Sequence, residues 1–170
     1  MLPMADSDVN IADSLKHALR QMPSPVAIVS VTDPQTSLPC GLAITAYAPV
    51  SMDPPSMQIC INRSAGAYSV ILAAGVFSVN ILGATGQDVL RCFSDPQKKS
   101  ERFADGHQWQ LSEGIPYLPT SNAVIFCKTV ATHDFGTHTL VIGVVEKVSY
   151  GAGAPPAVWL GGRLHTVEAS

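Results

Sequence analysis

An alternating run, Gly41-Leu-Ala-Ile-Thr-Ala-Tyr-Ala-Pro49, leads into Val-Ser-Met-Asp and a double proline at Pro54 and Pro55. A second apolar run, Met57-Gln-Ile-Cys-Ile-Asn62, follows at once. No helix fits between them, so the chain must place two strands in close succession. Small residues at Gly41, Ala43, Ala46 and Ala48 leave little side-chain bulk on the first strand, so a flat group can approach its backbone.

The rest of the chain follows the same habit. Strands are expected at Val26–Thr32, Val76–Leu82, Asn122–His133 and His138–Tyr150, with short ones at Ala157–Leu160 and Leu164–Val167. Helices are few: Asn10 to Arg20 with Asn10 as cap, Tyr68 to Ala74 stopped by Gly75, and Gln87 to Phe93. Trp109 to Pro119, broken by Gly114, Pro116 and Pro119, reads as irregular. The strands are not separated by regular helices, which excludes a doubly wound parallel sheet. A small antiparallel barrel with a few covering helices is expected. No repeat, low-complexity tract or linker interrupts residues 1–170, so a single domain is expected.

The strand from His138 is apolar on both faces. One carries His138, Leu140, Ile142 and Val144, the other Thr139, Val141, Gly143 and Val145. A strand wetted on one side should alternate instead. A second copy of the chain is the economical cover, so a homodimer is expected. Composition agrees: 46% of residues are hydrophobic and only 14% charged, against roughly 25% charged in ordinary soluble domains.

The formal net charge of −3 offers no basic patch for nucleic acid. Cys40, Cys60, Cys92 and Cys127 form no Cys-x-x-Cys pair and are expected to be thiols in a reducing compartment. The opening Met-Leu-Pro-Met-Ala-Asp-Ser-Asp lacks the charge and apolar core of a signal peptide. No run approaches the roughly 18 apolar residues of a membrane span. A soluble cytoplasmic protein is expected.

Several chemistries are excluded. There is no phosphate loop, Gly151-Ala-Gly-Ala-Pro-Pro is no dinucleotide fingerprint, and no Gly-x-Ser-x-Gly elbow exists. His133 and His138 form the one close histidine pair. On an extended strand their spacing puts them on opposite faces, joined only by a sharp bend at Gly136, so no metal site is expected.

Six segments in order resemble the flavin reductase-like family of flavin-binding split barrels. They are Met22-Pro-Ser-Pro-Val-Ala-Ile-Val, Gly41 to Pro55, Gly75-Val-Phe-Ser-Val-Asn-Ile-Leu82, Phe93 followed by Arg102-Phe103, His138 with Gly143, and Pro156-Ala-Val-Trp159 with Gly161 and Gly162. Together they span Met22 to Val167. The resemblance implies a mainly β fold, a six-stranded antiparallel Greek-key split β-barrel with covering helices.

It also implies a site for FMN or FAD, with NADH or NADPH as hydride donor and a flavin-dependent monooxygenase as functional partner. The flavin ring would lie on Gly41, Leu42, Ala43, Ile44, Thr45 and Ala46. On residue chemistry alone Thr45 reads equally as an ordinary strand threonine. Asn62 and Ser64 would handle the ribityl and phosphate end together with Arg102, and Cys60, Ile61, Gly66, Ala67 and Phe93 would also contact the cofactor. Trp159 and Gly161 would close the site, His138 would bind the nicotinamide, and Arg163 reads equally as a contact to the pyridine dinucleotide phosphates or as a plain surface residue. Three departures stand out: Ala65 and Ala67 replace hydroxyl residues, Thr137 replaces the acid before His138, and Arg163 replaces an aromatic residue. A flavin carrier without turnover, a pyridoxamine phosphate oxidase-like enzyme and a purely structural domain are the competing readings.

Overall fold

The run from Gly41 to Pro49 is not one strand but two, and they lie at opposite edges of one sheet. A computed structural model describes residues 10–151 and 153–167. Helix α1 (Ile11–Leu19) opens with Asn10, whose side chain accepts from the Ala12 N–H at 2.9 Å. Then come β1 (Ser24–Pro25), β2 (Ala27–Thr32), β3 (Pro39–Ile44), β4 (Tyr47–Met52), β5 (Pro55–Asn62), α2 (Tyr68–Ala74) and β6 (Val76–Ile81). After α3 (Gln87–Ser94) follow β7 (Gln110–Ser112), β8 (Ile115–Tyr117), β9 (Ala123–Phe135), β10 (His138–Tyr150), β11 (Ala157–Leu160) and β12 (Arg163–Thr166).

The main sheet has the order β3-β2-β6-β9-β10-β5-β4, with every neighbouring pair antiparallel. Laid flat, seven strands would hold their outer edges roughly 29 Å apart. Yet β3 and β4 are joined by Thr45 and Ala46 alone. From Ile44 to Tyr47 the chain can reach only about 11 Å. The sheet must therefore roll until its edges meet, and this short connector closes the barrel. Six expected runs thus become seven strands, because one of them changes edges.

Period-two alternation fills the barrel. Val29, Val31, Ile59, Ile61, Phe77, Val79 and Val141 are completely buried in one cluster, and Ile71 of α2 joins them. Gly75 ends α2 in the left-handed region, φ 68°, where glycine carries no Cβ penalty. The segment Trp109–Pro119, expected to be irregular, contains the β7–β8 hairpin. A buried polar cluster docks it. Asn80 Oδ1 accepts from the Leu118 N–H at 2.7 Å, and the Ser30 and Ser78 hydroxyls lie 2.8 and 2.6 Å from the Pro116 carbonyl. Prolines masked this hairpin, because its anchoring comes from side chains elsewhere rather than from strand propensity.

On β10 the inner face, Thr139, Val141 and Gly143, is buried, while His138, Leu140, Ile142 and Val144 are half-buried. Strand β11 pairs with both β1 and β12, forming a small sheet beside the barrel. Among the described residues no helix is long and apolar enough to cross a membrane.

Candidate functional site

The connector Thr45–Ala46 lies outside both ladders, and both residues are exposed. The Ala46 carbonyl accepts from the Cys60 N–H at 2.9 Å, which fixes the corner against β5. Among the described residues, neither the Thr45 nor the Ala46 N–H donates a hydrogen bond, and the Thr45 hydroxyl has no partner. Three donors on this exposed connector therefore have no protein partner among the described residues. A cavity of about 420 Å³ opens there, lined by Ser24, Thr45, Ala46, Trp159 and Gly161. A smaller one of about 160 Å³ shares Thr45 and Trp159 and adds Ala43 and Ile44. Trp159, 37% exposed, stands between the two as an aromatic wall. Antiparallel pairing of Trp159 with Ser24 brings it there.

Not every expected residue reaches this corner. Gly41 does not: its backbone is already covered. A Cβ on Gly41 would lie 2.3 Å from the Val29 carbonyl and 3.3 Å from the Phe103 ring. Its smallness lets the neighbouring strand's backbone and the Phe103 ring pack close. Leu42 packs on the barrel core and Ile61 is wholly buried.

Phe93 and Arg102 form a second structural unit. Phe93 meets Phe103 edge-on at 5.4 Å. The Arg102 guanidinium lies over the Phe93 ring and donates to the carbonyls of Cys92 and Phe93 at 3.1 and 3.3 Å. It thereby satisfies the orphan carbonyls at the end of α3.

The expected phosphate corner is similarly occupied with itself. Ser64 donates both its N–H, at 2.9 Å, and its hydroxyl, at 2.8 Å, to Asn62 Oδ1. The Ala65 N–H donates to the Asn62 carbonyl. Gly66 is exposed and Ala67 is buried at the start of α2. Sequence reasoning gave no role to Arg63. It pairs with Asp134 at 3.7 Å, donates to the Gly136 carbonyl and ties the end of β5 to the β9–β10 turn.

His138 lies across from Asn62 on β10, with its Nδ1 2.9 Å from the Thr137 hydroxyl. A cavity of about 310 Å³ adjoins it, lined by Asn62, Arg63, Ser64 and Thr137. Cys60 lies across from Leu140 on the same outward face. Arg163 is exposed at the start of β12. His133 and His138 were expected on opposite faces. The turn at Gly136 makes a hairpin in which His133 pairs with Leu140 and His138 with Phe135, so both point to the same side. Cross-strand partners share a face, whatever their spacing along the chain. Among the described residues no group of three metal-ligating side chains gathers.

Just past the connector, burial pushes the Tyr47 phenol up to about 12, and its hydroxyl has no partner among the described residues. Burial also raises the Cys40 thiol. The corner thus offers hydrogen-bond donors and an aromatic wall, with no nucleophile or acid–base pair among the described residues. That combination suits a flat heterocycle bearing carbonyl and ring-nitrogen acceptors.

Comparison with known proteins agrees with this chemistry. The family described as "Flavin reductase like domain" matches residues 19–168. The NADH:riboflavin 5'-phosphate oxidoreductase of Streptomyces pristinaespiralis is 32% identical over 157 residues, covering 90% of this chain and 86% of that protein. The reductase component of the FADH(2)-dependent resorcinol hydroxylase of Rhizobium sp. (strain MTP-10005) is 29% identical over 149 residues, covering 88% of this chain and 83% of that protein. The solved structure of the Streptomyces globisporus C-1027 NADH:FAD oxidoreductase SgcE6 superposes with a TM-score of 0.85 at 25% identity, covering 98% of this chain and 99% of that one.

Proposed function

Because the chain belongs to the flavin reductase-like domain family, we propose that it is an NAD(P)H:flavin oxidoreductase supplying reduced flavin to a partner monooxygenase. The observation that carries this is the Thr45–Ala46 corner, whose free donors and Trp159 wall fit a flavin ring. NADH is the donor named for the Streptomyces relatives, and FMN or FAD the acceptor. A role in a two-component system is supported by the resorcinol hydroxylase relative, itself a reductase component.

Flavin, when bound, supplies the two-electron acceptor for the nicotinamide's hydride. The chain's own work is binding and alignment. The Thr45 and Ala46 N–H groups and the Thr45 hydroxyl hold the ring's polar edge, and Trp159 limits its slide. Two flat partners held face to face need no general base from the protein. His138 contributes on the nicotinamide side. With Nδ1 engaged by Thr137, its Nε2 is the nitrogen left for a carboxamide. His138→Ala should raise the KM for NADH about tenfold and flavin Kd less than about threefold. Equal losses in both would count against this role.

The protein works as a homodimer in this reading, supported by the half-buried apolar outer face of β10 and by the exposed Ile11, Leu15 and Leu19 of α1. Light scattering tests that point. The function itself is tested by adding NADH and FMN and following the NADH absorbance band. Its steady loss supports a reductase. A protein that binds flavin but leaves NADH untouched is a carrier, and one that binds neither is not a flavoprotein.

A further inference from the structure

The larger cavity has a wall that ring binding leaves unused. It is the last turn of α1, where Lys16 and Arg20 both line the cavity across from Thr45 and Trp159. They stand one helical turn apart, so they share a face. The wall is fixed in place. The Arg20 carbonyl accepts from the Gly161 N–H at 3.0 Å, which clips the helix end to the turn between β11 and β12.

Several other cations of the chain have other work. Arg63 serves Asp134, Arg91 pairs with Asp88, Lys98 with Glu101, and Arg102 with two backbone carbonyls. Arg20 has no ion pair or side-chain hydrogen bond among the described residues. Lys16 pairs with Asp13 at 2.9 Å, but both side chains are largely exposed, 72% and 65%. Such a pair is weak and yields to a better anion. Among the described residues no carboxylate lines the cavity. In a chain of net charge −3, this is a local positive wall.

A ligand that lays a flat ring on Thr45–Ala46 and then runs toward α1 must carry negative charge on its tail. We infer that Lys16 and Arg20 seat the diphosphate of a dinucleotide, either FAD whose own ring lies on the corner or a nicotinamide dinucleotide stacked on the flavin ring held there. Guanidinium and ammonium groups bind phosphate oxygens through charge-assisted hydrogen bonds. This inference rests on the reductase reading. The diphosphate belongs either to the nicotinamide donor or to FAD, and the two can be separated.

The experiment compares wild type with Arg20→Ala and with Lys16→Ala/Arg20→Ala. Both sites are exposed, and thermal melts control for folding. With riboflavin as acceptor, which carries no phosphate, KM is measured for NADH and for reduced nicotinamide mononucleotide, which lacks the diphosphate bridge. The double variant should raise the KM for NADH about tenfold and lower the efficiency ratio of NADH to the mononucleotide by a similar factor. If instead the KM for FAD rises relative to FMN, with the mononucleotide as donor, the seat serves the flavin. Either result supports the inference. It is overturned if neither ratio moves by more than about twofold. Calorimetric titration with ADP-ribose needs no turnover. Weaker binding in the variants supports the seat even in a protein that fails to reduce flavin, and unchanged binding overturns it.

Discussion

Two corners of this barrel carry similar residues and have opposite readiness to bind. At Thr45–Ala46 the donors are free and an aromatic wall stands beside them. At Asn62–Ser64 the donors look equally suitable in the sequence, yet Ser64 turns both of its own onto Asn62 Oδ1. Arg102 behaves the same way, with its guanidinium committed to the end of α3. Residue type tells which groups are able to bind. Only the local bonding pattern tells which are available.

The sharpest test of that contrast is Ala46→Pro, which deletes one free N–H at the corner. Flavin Kd should weaken about tenfold to a hundredfold, read by fluorescence titration. Since proline at the connector can disturb closure, Thr45→Ala serves as the milder partner, with an expected loss of about threefold to tenfold. A normal Kd in both would remove the corner from the site. Next in size is Asn62→Ala. It frees both Ser64 donors and should lower stability by about 1 kcal/mol in a denaturant melt.

Ser64→Ala should change FMN affinity less than about threefold and leave the FMN-to-riboflavin ratio unchanged. A large, FMN-specific loss would break the comparison, because it would mean that Asn62 releases Ser64 to a phosphate. The smallest effect concerns Tyr47. Its folded pKa is raised by burial to about 12, against an ordinary value of about 10. The unfolded chain therefore loses this proton first, and stability falls as pH rises between those values. Tyr47→Phe should flatten that alkaline loss, as followed by melts at increasing pH.

Much of the framework was legible. Tyr68–Ala74 and His138–Tyr150 have the boundaries that periodicity and Gly75 suggested. What escaped was long-range. The alternation of Gly41–Pro49 passes through Thr45 without a signal, because period two records faces and not which neighbour a strand pairs with. Gly41 looked bare, since nothing in its own segment says that Phe103 will cover it. Lys16 and Arg20 went unnoticed because an exposed amphipathic helix carries no mark of where it will rest. The His133–His138 relation was misread for a related reason: a hairpin turn, not the count between them, decides their shared side.

The connector that closes the barrel has one more consequence. It is the seam of a cylinder, and the proposed ligand would sit across it like a clasp. Anything gripping Thr45 and Ala46 also grips the first and last staves of the sheet. Flavin occupancy should then slow amide exchange in β3 and β4 together, although they stand six places apart in the hydrogen-bonded order. Holding cargo and holding shape would be one act in this protein, and an empty molecule would be the first to spring open.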